Sequence, residues 1–463
     1  TPPPAFDASA AAALAQELFA VEGQARLLAS ERDQNFKVTA LDGRRFVLKI
    51  ANPAEQRARL DCENAALAHL RRQDPSLPLP TPQPTRDCQD TIAQARDPEG
   101  ADCLVRLFSY QEGRVLADAP KNPAQLTALG ATLGRLSRAL QGFHHPAAHR
   151  PDFPWNLDEV SQLAALLPYL SDARDRDLVA RFLQHFERHG RARYEGLRRA
   201  VIYNDANDHN VLVDGDQISG LIDFGDMVFS RQINELAVCL AYSLMGQESP
   251  LQAAVPLIKA YHHAFALQAE EVALLYDLVA LRLCISLCLS AKHGQARQDN
   301  DYLLISQAPA RTLLRALGAM NRDFVHAVFR QACGWSPVAH APAVLAWLTQ
   351  QQGTFHPLLG FDLFTAQKAV INLSAGSEDL ANLVSTPAQA EAYIAVVGLY
   401  HEDRSVYQSE NFVSDNDPAD RRSVHLGIDL FGPPGTALYA PLDGEVVSAV
   451  DNAIALDYGP TII

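Results

Sequence analysis

The pattern of hydrophobic and polar positions divides the first part of the chain into two regions. Over residues 25–108, short apolar stretches separated by polar turns predict strands, with a hairpin turn at Asp42-Gly43. The segment 54–72 within this region has the apolar spacing of a helix. Over residues 122–320, longer periodic segments predict helices, and a single β-like insert at 200–226 interrupts them. We therefore predict a small β-rich lobe followed by a helical lobe that carries a hairpin insert.

A third pattern begins near Gly360, where short strands and loops return, and the stretch 401–423 is polar and turn-rich. The predicted fold class is α+β: two lobes, one β-rich and one helical, and then a small all-β domain. The predicted boundaries are 1–108 for the first lobe with a leading helix, 109–335 for the helical lobe, 336–400 for a connecting region, and 401–463 for the C-terminal domain.

Composition limits the function classes. The 463-residue chain has 39 Lys+Arg against 54 Asp+Glu, a net charge of −15, which disfavours a nucleic-acid binder because such proteins need a basic face. The seven cysteines form neither a disulfide framework nor a metal knuckle, which indicates a reducing compartment. We see no signal peptide and no apolar run near the roughly 18 residues of a spanning helix, so we expect a cytoplasmic protein without membrane contact. Because the chain starts without Met and stops in a strand-like run, we expect a fragment.

The β-like insert carries the strongest chemical signal. Asp205 and Asn210 lie in a loop framed by apolar strands, and Asp223 ends the next strand in the sequence Asp-Phe-Gly. Phosphoryl transfer needs a carboxylate to accept the proton of the attacking hydroxyl, and an amide oxygen and a second carboxylate to hold Mg²⁺ against the phosphates. The alternative is that both aspartates lie in ordinary turns, but the spacing of the two elements disfavours it. The insert therefore predicts a phosphotransferase.

These motifs resemble the aminoglycoside phosphotransferase and choline kinase family of protein-kinase-like enzymes, and most of all its hydroxylysine-kinase branch. The resemblance covers roughly residues 10–330 and implies a kinase that uses ATP and Mg²⁺, with Asp205 as base and Asn210 and Asp223 as metal ligands. One departure concerns the two residues before the base, which are usually His-Gly in the family and are Tyr203-Asn204 here.

The first lobe should then supply a lysine for the phosphates. Lys49 fits, because it lies in an apolar strand where an unpaired ammonium group would be costly to bury. The family pattern E-x-x-x-L implies Glu63 as its ion-pair partner, with Glu55 as a weaker alternative. The alternative for Lys49 is an edge-strand side chain that points to water.

Two further segments should contact the nucleotide. The turn that contains Ser30 and Asn35 occupies the position of the family's phosphate-covering loop, although it has no glycine. The strand that ends near Leu107 and Ser109 should lead into a hinge whose backbone binds adenine. The sequence does not distinguish ATP from GTP.

The acceptor is less well defined. Asp208, Asp226 and Glu235 lie on or just after the catalytic segments and could hold a substrate amino group, although Glu235 could equally have a structural role. Arg282 lies on an apolar helix and could bind a substrate carboxylate or pair with a structural aspartate. If these contacts are made, the acceptor is a small amino alcohol or a hydroxy-amino acid.

The C-terminal region has a second motif, His425-x-x-x-Asp429, followed by a hairpin sequence at 440–447. It resembles the lysostaphin-type metallopeptidases, in which these two positions bind zinc. Their later H-x-H motif is absent, so two ligands would be left for a possible Zn²⁺ where a catalytic site needs three. Proteins with both resemblances are fused to a class III aminotransferase-fold, pyridoxal-phosphate domain, which we expect in a longer chain.

Three hypotheses follow. The first is an ATP-dependent kinase of a small amino-hydroxyl compound. The second is a weakly catalytic nucleotide-binding or scaffolding module, suggested by Tyr203-Asn204 and the missing glycines. The third, zinc peptidase activity, is disfavoured by the missing third ligand. The sequence leaves open the identity of the acceptor and the oligomeric state.

Overall fold

The chain forms two compact units, Thr1–Ala339 and His340–Ile463. The structure, a computed structural model, describes residues 3–30, 32–296, 307–379, 395–408, 412, 423–433, 435–452 and 459–462.

The first unit begins with a helix and a five-stranded antiparallel sheet in the order β1-β2-β3-β5-β4. Asp7 caps the first helix by accepting a hydrogen bond from the Ala10 N–H at 2.7 Å. The predicted hairpin turn is present, since Gly43 has a φ of 86° and its N–H bonds to the Ala40 carbonyl. The elements are α1 (Ala8–Phe19), β1 (Gly23–Leu28), β2 (Gln34–Ala40), β3 (Arg45–Ile50), α2 (Arg57–Gln73), β4 (Ala93–Arg96) and β5 (Asp102–Ser109).

Two small sheets in the helical lobe contain the strands of the insert. One has the order β6-β8-β9 and the other pairs β7 with β10, all antiparallel. Their strands are β6 (Arg114–Val115), β7 (Arg199–Ile202), β8 (Val211–Asp214), β9 (Gln217–Leu221) and β10 (Val228–Arg231).

The helices of this lobe surround a single large apolar core. Asn122 and Gln125 form a capping box at the start of α3. The helices are α3 (Pro123–Ala139), α4 (Leu163–Leu166), α5 (Ala173–His185), α6 (Arg191–Glu195), α7 (Ile233–Ser243), α8 (Pro250–Ala264), α9 (Ala269–Ala296), α10 (Gln307–Ala319) and α11 (Arg322–Ala332). A π-helical turn, Phe186–Gly190, joins α5 to α6.

Helix α9 corrects one sequence expectation. Its segment Ala269–Gly294 reaches a mean hydropathy of 2.1 over 18 residues and is long and apolar enough to cross a membrane. Our expectation that no such run exists was wrong, because scattered charged residues such as Arg282 do not lower the mean enough. The structure buries 94% of this window, and the core helix of a globular protein passes the same test.

The second unit contains one helix and short strands. Parallel and antiparallel pairings join β11-β12-β15, and two further pairs are β13-β14 and β16-β17. The elements are α12 (Ala341–Gln351), β11 (Lys368–Ile371), β12 (Ala395–Gly398), β13 (Glu402–Asp403), β14 (Val424–His425), β15 (Asp429–Phe431), β16 (Ala449–Asn452) and β17 (Gly459–Ile462). The α+β architecture of a β-rich lobe, a helical lobe and small C-terminal sheets is therefore confirmed. The domain boundaries stay predictions.

Candidate active site

The loop between β7 and β8 brings the predicted base and one predicted metal ligand together. The Asn210 side-chain amide donates to Asp205 Oδ2 at 2.6 Å, and the Asn207 amide donates to Asp205 Oδ1 at 2.8 Å. Both oxygens of the Asp205 carboxylate are thus oriented by side chains of the same loop. This fixed orientation is what a proton acceptor needs.

Charges around Asp205 act in opposite directions. Burial raises the pKa of Asp205 well above its ordinary value, and the nearby Asp226 carboxylate raises it further. Arg282 opposes both effects, since its guanidinium lies 3.9 Å from Asp205 Oδ1. Of the two roles that the sequence left open for Arg282, the structure shows the pairing with an aspartate, and that aspartate is the predicted base.

Asp223 follows β9 in a left-handed backbone conformation, with a φ of 60°. Its Oδ1 lies 3.3 Å from Lys49 Nζ, which connects the catalytic insert to β3 of the first lobe. Lys49 lowers the pKa of Asp223, which keeps this carboxylate ionised. The Asp223 side chain is 53% exposed, so a ligand can reach it.

The donor atoms of Asn210 and Asp223 suit magnesium. The side-chain amide nitrogen of Asn210 donates to Asp205, and among the described residues no group donates a hydrogen bond to the side-chain Oδ1 of Asn210. This oxygen and the ionised Asp223 carboxylate are hard ligands, and Mg²⁺ is usually held by one or two such protein groups together with water and substrate phosphates. The residues present therefore fit the metal that the sequence predicts.

The ion pairs of the first lobe differ from the predicted ones. Lys49 pairs with Asp223, whereas Glu63 Oε2 lies 2.8 Å from Nη1 of Arg106. Arg106 stands directly opposite Lys49 in the pairing of β3 with β5, so two cations compete for the same glutamate. The predicted Lys49–Glu63 pair was wrong in this structure. Glu55 is no partner of Lys49 either, since it contacts arginines.

The turn that was predicted to cover the phosphates leads into β2, which places Asn35 beside Lys49. Asn35 lies on β2 directly opposite Lys49, and its Oδ1 is buried without a hydrogen-bond partner in the described part of the chain. Ser30 is exposed just after β1. A polar atom beside Lys49 with no partner is a position at which a ligand could bond.

Part of the predicted hinge is bonded to protein groups. The Leu107 carbonyl already accepts from the Gln83 N–H at 2.7 Å, and the Ser109 N–H donates to the Thr81 carbonyl at 3.0 Å. Leu107 therefore cannot offer adenine its carbonyl, because a neighbouring segment covers that edge of β5. Within the described part of the chain, the Ser109 carbonyl accepts a side-chain hydrogen bond only from the Gln111 amide, at 3.5 Å, and the hinge itself stays a prediction.

Two predicted acceptor contacts are occupied by protein groups. Asp208 Oδ2 lies 2.6 Å from Lys121 Nζ, and this ammonium group also donates to two backbone carbonyls of the helical lobe. Glu235 is fully buried and accepts hydrogen bonds from the N–H groups of Tyr203 and Asn204. Both side chains hold the catalytic loop, which is the structural alternative considered for Glu235.

Asp226 is the predicted acceptor contact that keeps its carboxylate near the base. Burial raises the pKa of Asp226 to about 6, and Arg150 opposes this effect. Asp226 lies among charged groups, since Arg150, Arg282 and Asp223 all influence its pKa. A buried carboxylate with a raised pKa gains from a cationic ligand.

The unusual residues before the base have structural explanations. Tyr203 is fully buried, its hydroxyl donates to the Ile222 carbonyl, and its ring lies 4.6 Å from that of Phe224. Asn204 has a φ of 65°, a conformation that glycine and asparagine adopt more easily than other residues. Asparagine can therefore replace the glycine of the family pattern, and Tyr203 ties the base loop to the Asp-Phe-Gly segment.

Sequence reasoning missed two arginines that hold this region. Arg106 is described above, and its signal was a charged residue inside an apolar strand. Arg150 Nη1 donates to the Gly225 carbonyl at 2.9 Å, and its guanidinium lies 3.5 Å from the centre of the Phe153 ring. Arg150 stands in an irregular loop, where no periodicity marks it.

The second predicted site, in the C-terminal unit, lacks a metal-binding set. His425 Nε2 lies 3.3 Å from Asp429 Oδ1, but Arg404 also pairs with Asp429, and Tyr407 bonds to His425 Nδ1. Among the described residues, no group of three or more His, Cys, Asp or Glu side chains could hold a metal ion. The possible zinc site is therefore not supported.

Comparison with known proteins identifies the family. The model of the phosphotransferase enzyme family matches residues 24–274, more than half of the chain. The chain belongs to this family. The lysostaphin-type resemblance and the fusion to an aminotransferase-fold domain are not shown and stay predictions.

Relatives of this phosphotransferase act on small molecules. The hydroxylysine kinase of Mus musculus is 29% identical over 353 residues, which cover 70% of this chain and 93% of the relative. The homoserine kinase of Zymomonas mobilis is 28% identical over 243 residues, 52% of this chain and 71% of the relative. An amicoumacin kinase structure shares the fold, with a TM-score of 0.53 and 18% identity over 67% of this chain and 93% of that one. The chain is thus a small-molecule kinase of this family.

Proposed function

We propose that the chain transfers the γ-phosphoryl group of ATP to a hydroxyl of a small amino alcohol or hydroxy-amino acid, with Asp205 as the catalytic base. One observation carries this proposal: Asp205 and Asn210 are joined at 2.6 Å, while Asp223 in the adjoining segment pairs with Lys49 of the other lobe. Base, metal ligands and phosphate-binding cation thus belong to one connected site.

Each side chain has a role in this scheme. Asp205 accepts the proton of the attacking hydroxyl, and its raised pKa makes it a stronger base than an exposed aspartate. Asn210 and Asp223 would hold Mg²⁺, which neutralises charge on the phosphates when bound. Lys49 adds a positive charge beside Asp223. Asn35 and the backbone after Ser109 would contact the nucleotide.

The acceptor class rests on charge and on the relatives. Asp226 offers a partly buried carboxylate close to the base, which suits an ammonium group. Arg282 is 1% exposed and already interacts with Asp205, so it orients the base and is left out as a carboxylate ligand. Hydroxylysine and homoserine, named for two relatives, are both hydroxy-amino acids. These points support an acceptor that carries an amino group near its hydroxyl.

The test is a panel of amino alcohols and hydroxy-amino acids, assayed for phosphate transfer with the wild-type chain and with Asp205→Asn. We expect one acceptor to stand out, and transfer to fall by about a thousandfold or more in the variant while Mg-ATP binding, measured by calorimetry, is kept. Asp214→Asn, at the exposed last residue of β8, is the matched control. Undiminished transfer in Asp205→Asn would refute the assignment of the base.

The same panel tests the scaffold alternative. A chain that binds Mg-ATP but phosphorylates no acceptor would be a nucleotide-binding module. The structure offers no observation in favour of that alternative, because Tyr203 and Asn204 both hold the base loop through hydrogen bonds.

A further inference from the structure

A cavity of about 360 Å³ opens in the helical lobe between α5, the π-helical turn, α9 and the junction of α10 with α11. None of the residues assigned above to the active site lines it. Its volume lies within the range of small-molecule pockets. It is therefore a separate concave site for which the phosphoryl-transfer scheme gives no role.

The wall of this cavity is basic. Arg181, Arg188 and Arg322 line it, together with two histidines, and no acidic side chain is among its described lining residues. The carboxylate of Asp277 pairs with Arg322 and lies 3.9 Å from the His185 imidazole, whereas Arg181 and Arg188 form no ion pair with a described residue, which leaves two uncompensated positive charges when the histidines are neutral. Such a concentration is unusual in a chain with a net charge of −15. Two positive charges in a concave site match a dianion.

Arg322 is held in a fixed orientation. Its guanidinium carbon lies 5.1 Å from the ring centres of both Phe182 and Tyr276, and these rings also line the cavity. Arg322 is also the first residue of α11, so the positive end of that helix lies at the same wall. A guanidinium whose position is preset loses little entropy when it binds an oxyanion.

The π-helical turn supplies the other wall. Phe186–Gly190 interrupts the regular winding between α5 and α6 and carries Arg188 and His189 into the lining. The imidazole of His189 lies 4.9 Å from that of His185, another lining residue. Single π-turns are rare and occur often at functional sites. A regular helix would rotate these side chains to other positions.

We propose that this cavity binds a phosphate dianion, either inorganic phosphate or the phosphate group of a small monoester. The guanidinium groups of Arg181, Arg188 and Arg322 would donate to the phosphate oxygens, as arginine does in phosphate sites. This site is independent of the active-site proposal, because it shares no residue with it.

The test is calorimetric titration of the full chain with inorganic phosphate. In Arg181→Gln/Arg188→Gln, whose altered side chains are exposed, we expect the Kd for phosphate at this site to rise at least about tenfold. The matched control is Arg26→Gln/Arg72→Gln, which removes the same charge from exposed positions on β1 and α2 and should leave the Kd unchanged. An unchanged Kd in the first variant, or no saturable binding to the wild type at millimolar phosphate, would overturn the proposal.

A second variant tests the cavity without altering charge. Gln184→Trp places a large ring at an exposed lining position and should block phosphate binding by volume alone. Competition between inorganic phosphate and phosphoethanolamine distinguishes the free ion from a monoester, since the tighter binder identifies the source. Succinate, a dicarboxylate, should bind more weakly than both, and equal binding would refute a phosphate site.

Discussion

The chain contains two polar clusters that its sequence marks in similar ways, and the two differ in the side chains that the fold brings to them. In the first unit, Asp205, Asn210 and Asp223 lie at the ends of neighbouring strands, and Lys49 reaches them from the other lobe. In the second unit, His425 Nε2 lies 3.3 Å from Asp429 Oδ1, Arg404 also pairs with Asp429, and Tyr407 bonds to His425 Nδ1.

The difference lies in what surrounds each motif. Among the described residues, the first cluster keeps a half-exposed carboxylate on Asp223 and a side-chain amide oxygen on Asn210 that accepts no hydrogen bond, so both are available to a ligand. In the second, Arg404 pairs with Asp429, and among the described residues no third metal-binding side chain joins His425 and Asp429. A motif predicts chemistry only where the fold leaves its donor atoms available.

The largest expected effect separates these clusters directly. Asp223→Asn removes a carboxylate that would hold the metal, and transfer to the acceptor found in the panel should fall about 10²–10³-fold. Asp429→Asn, the same change in the second cluster, should leave kcat unchanged. Steady-state transfer assays measure both, and equal losses in the two variants would contradict the comparison.

The next effect compares two ion pairs of the first unit, one buried and one partly exposed. Arg106→Met leaves the Glu63 carboxylate buried without its partner, which should lower the free energy of unfolding by about 3–5 kcal/mol. Lys49→Met should cost about 1 kcal/mol or less, because Asp223 is half exposed. Urea unfolding of the full chain measures both values.

A double-mutant cycle with Glu63→Gln then assigns the partner. We expect strong coupling between Glu63 and Arg106 and little between Glu63 and Lys49. The reverse order would restore the pair predicted from the sequence. Arg404→Met in the second unit, which strands the buried Glu402, should cost stability without changing transfer.

The sequence predicted the architecture, because strand ends and helical periodicity are local patterns. The contact between Asp205 and Asn210 agrees with their spacing in one loop, while the catalytic and metal-binding roles of Asp205, Asn210 and Asp223 stay predictions. It failed where a contact crosses the fold. The partner of Glu63 depends on the register of β3 against β5, which places Arg106 opposite Lys49. The hydrogen bond at the Leu107 carbonyl depends on the segment around Gln83, which packs along the edge of β5. Neither of these two contacts is encoded in a local sequence pattern.

A pH effect of intermediate size tests the loop that carries the base. Burial raises the pKa of Glu235 to about 7, and hydrogen bonds from the Tyr203 and Asn204 N–H groups oppose this. The folded state keeps the proton of Glu235 to a higher pH than the unfolded state does. The contribution of Glu235 to the free energy of unfolding should therefore be fully present below pH 4.5 and be lost as the pH rises to about 7. The loss relative to Glu235→Gln should be about 3 kcal/mol over that interval.

Urea unfolding of both chains at several pH values measures this difference. Asp223 should have the opposite sign, because its pKa is lowered and its contribution disappears as the pH falls. A wild-type stability that runs parallel to that of Glu235→Gln from pH 4.5 to 7 would mean that Glu235 is already ionised there.

The smallest effect concerns two residues with a left-handed backbone conformation, one in each unit. Asn204 has a φ of 65° and His401 a φ of 66°. Both Asn204→Val and Asn204→Gly lose the side-chain hydrogen bond to the Asp226 carbonyl, but Asn204→Val should cost about 1–3 kcal/mol more, because a β-branched residue is strained in this conformation. His401→Gly should stabilise its turn slightly. Only the valine variant should also lower kcat, because Asn204 precedes the base. Equal kcat values for Asn204→Val and Asn204→Gly would mean that the backbone at this position does not orient Asp205.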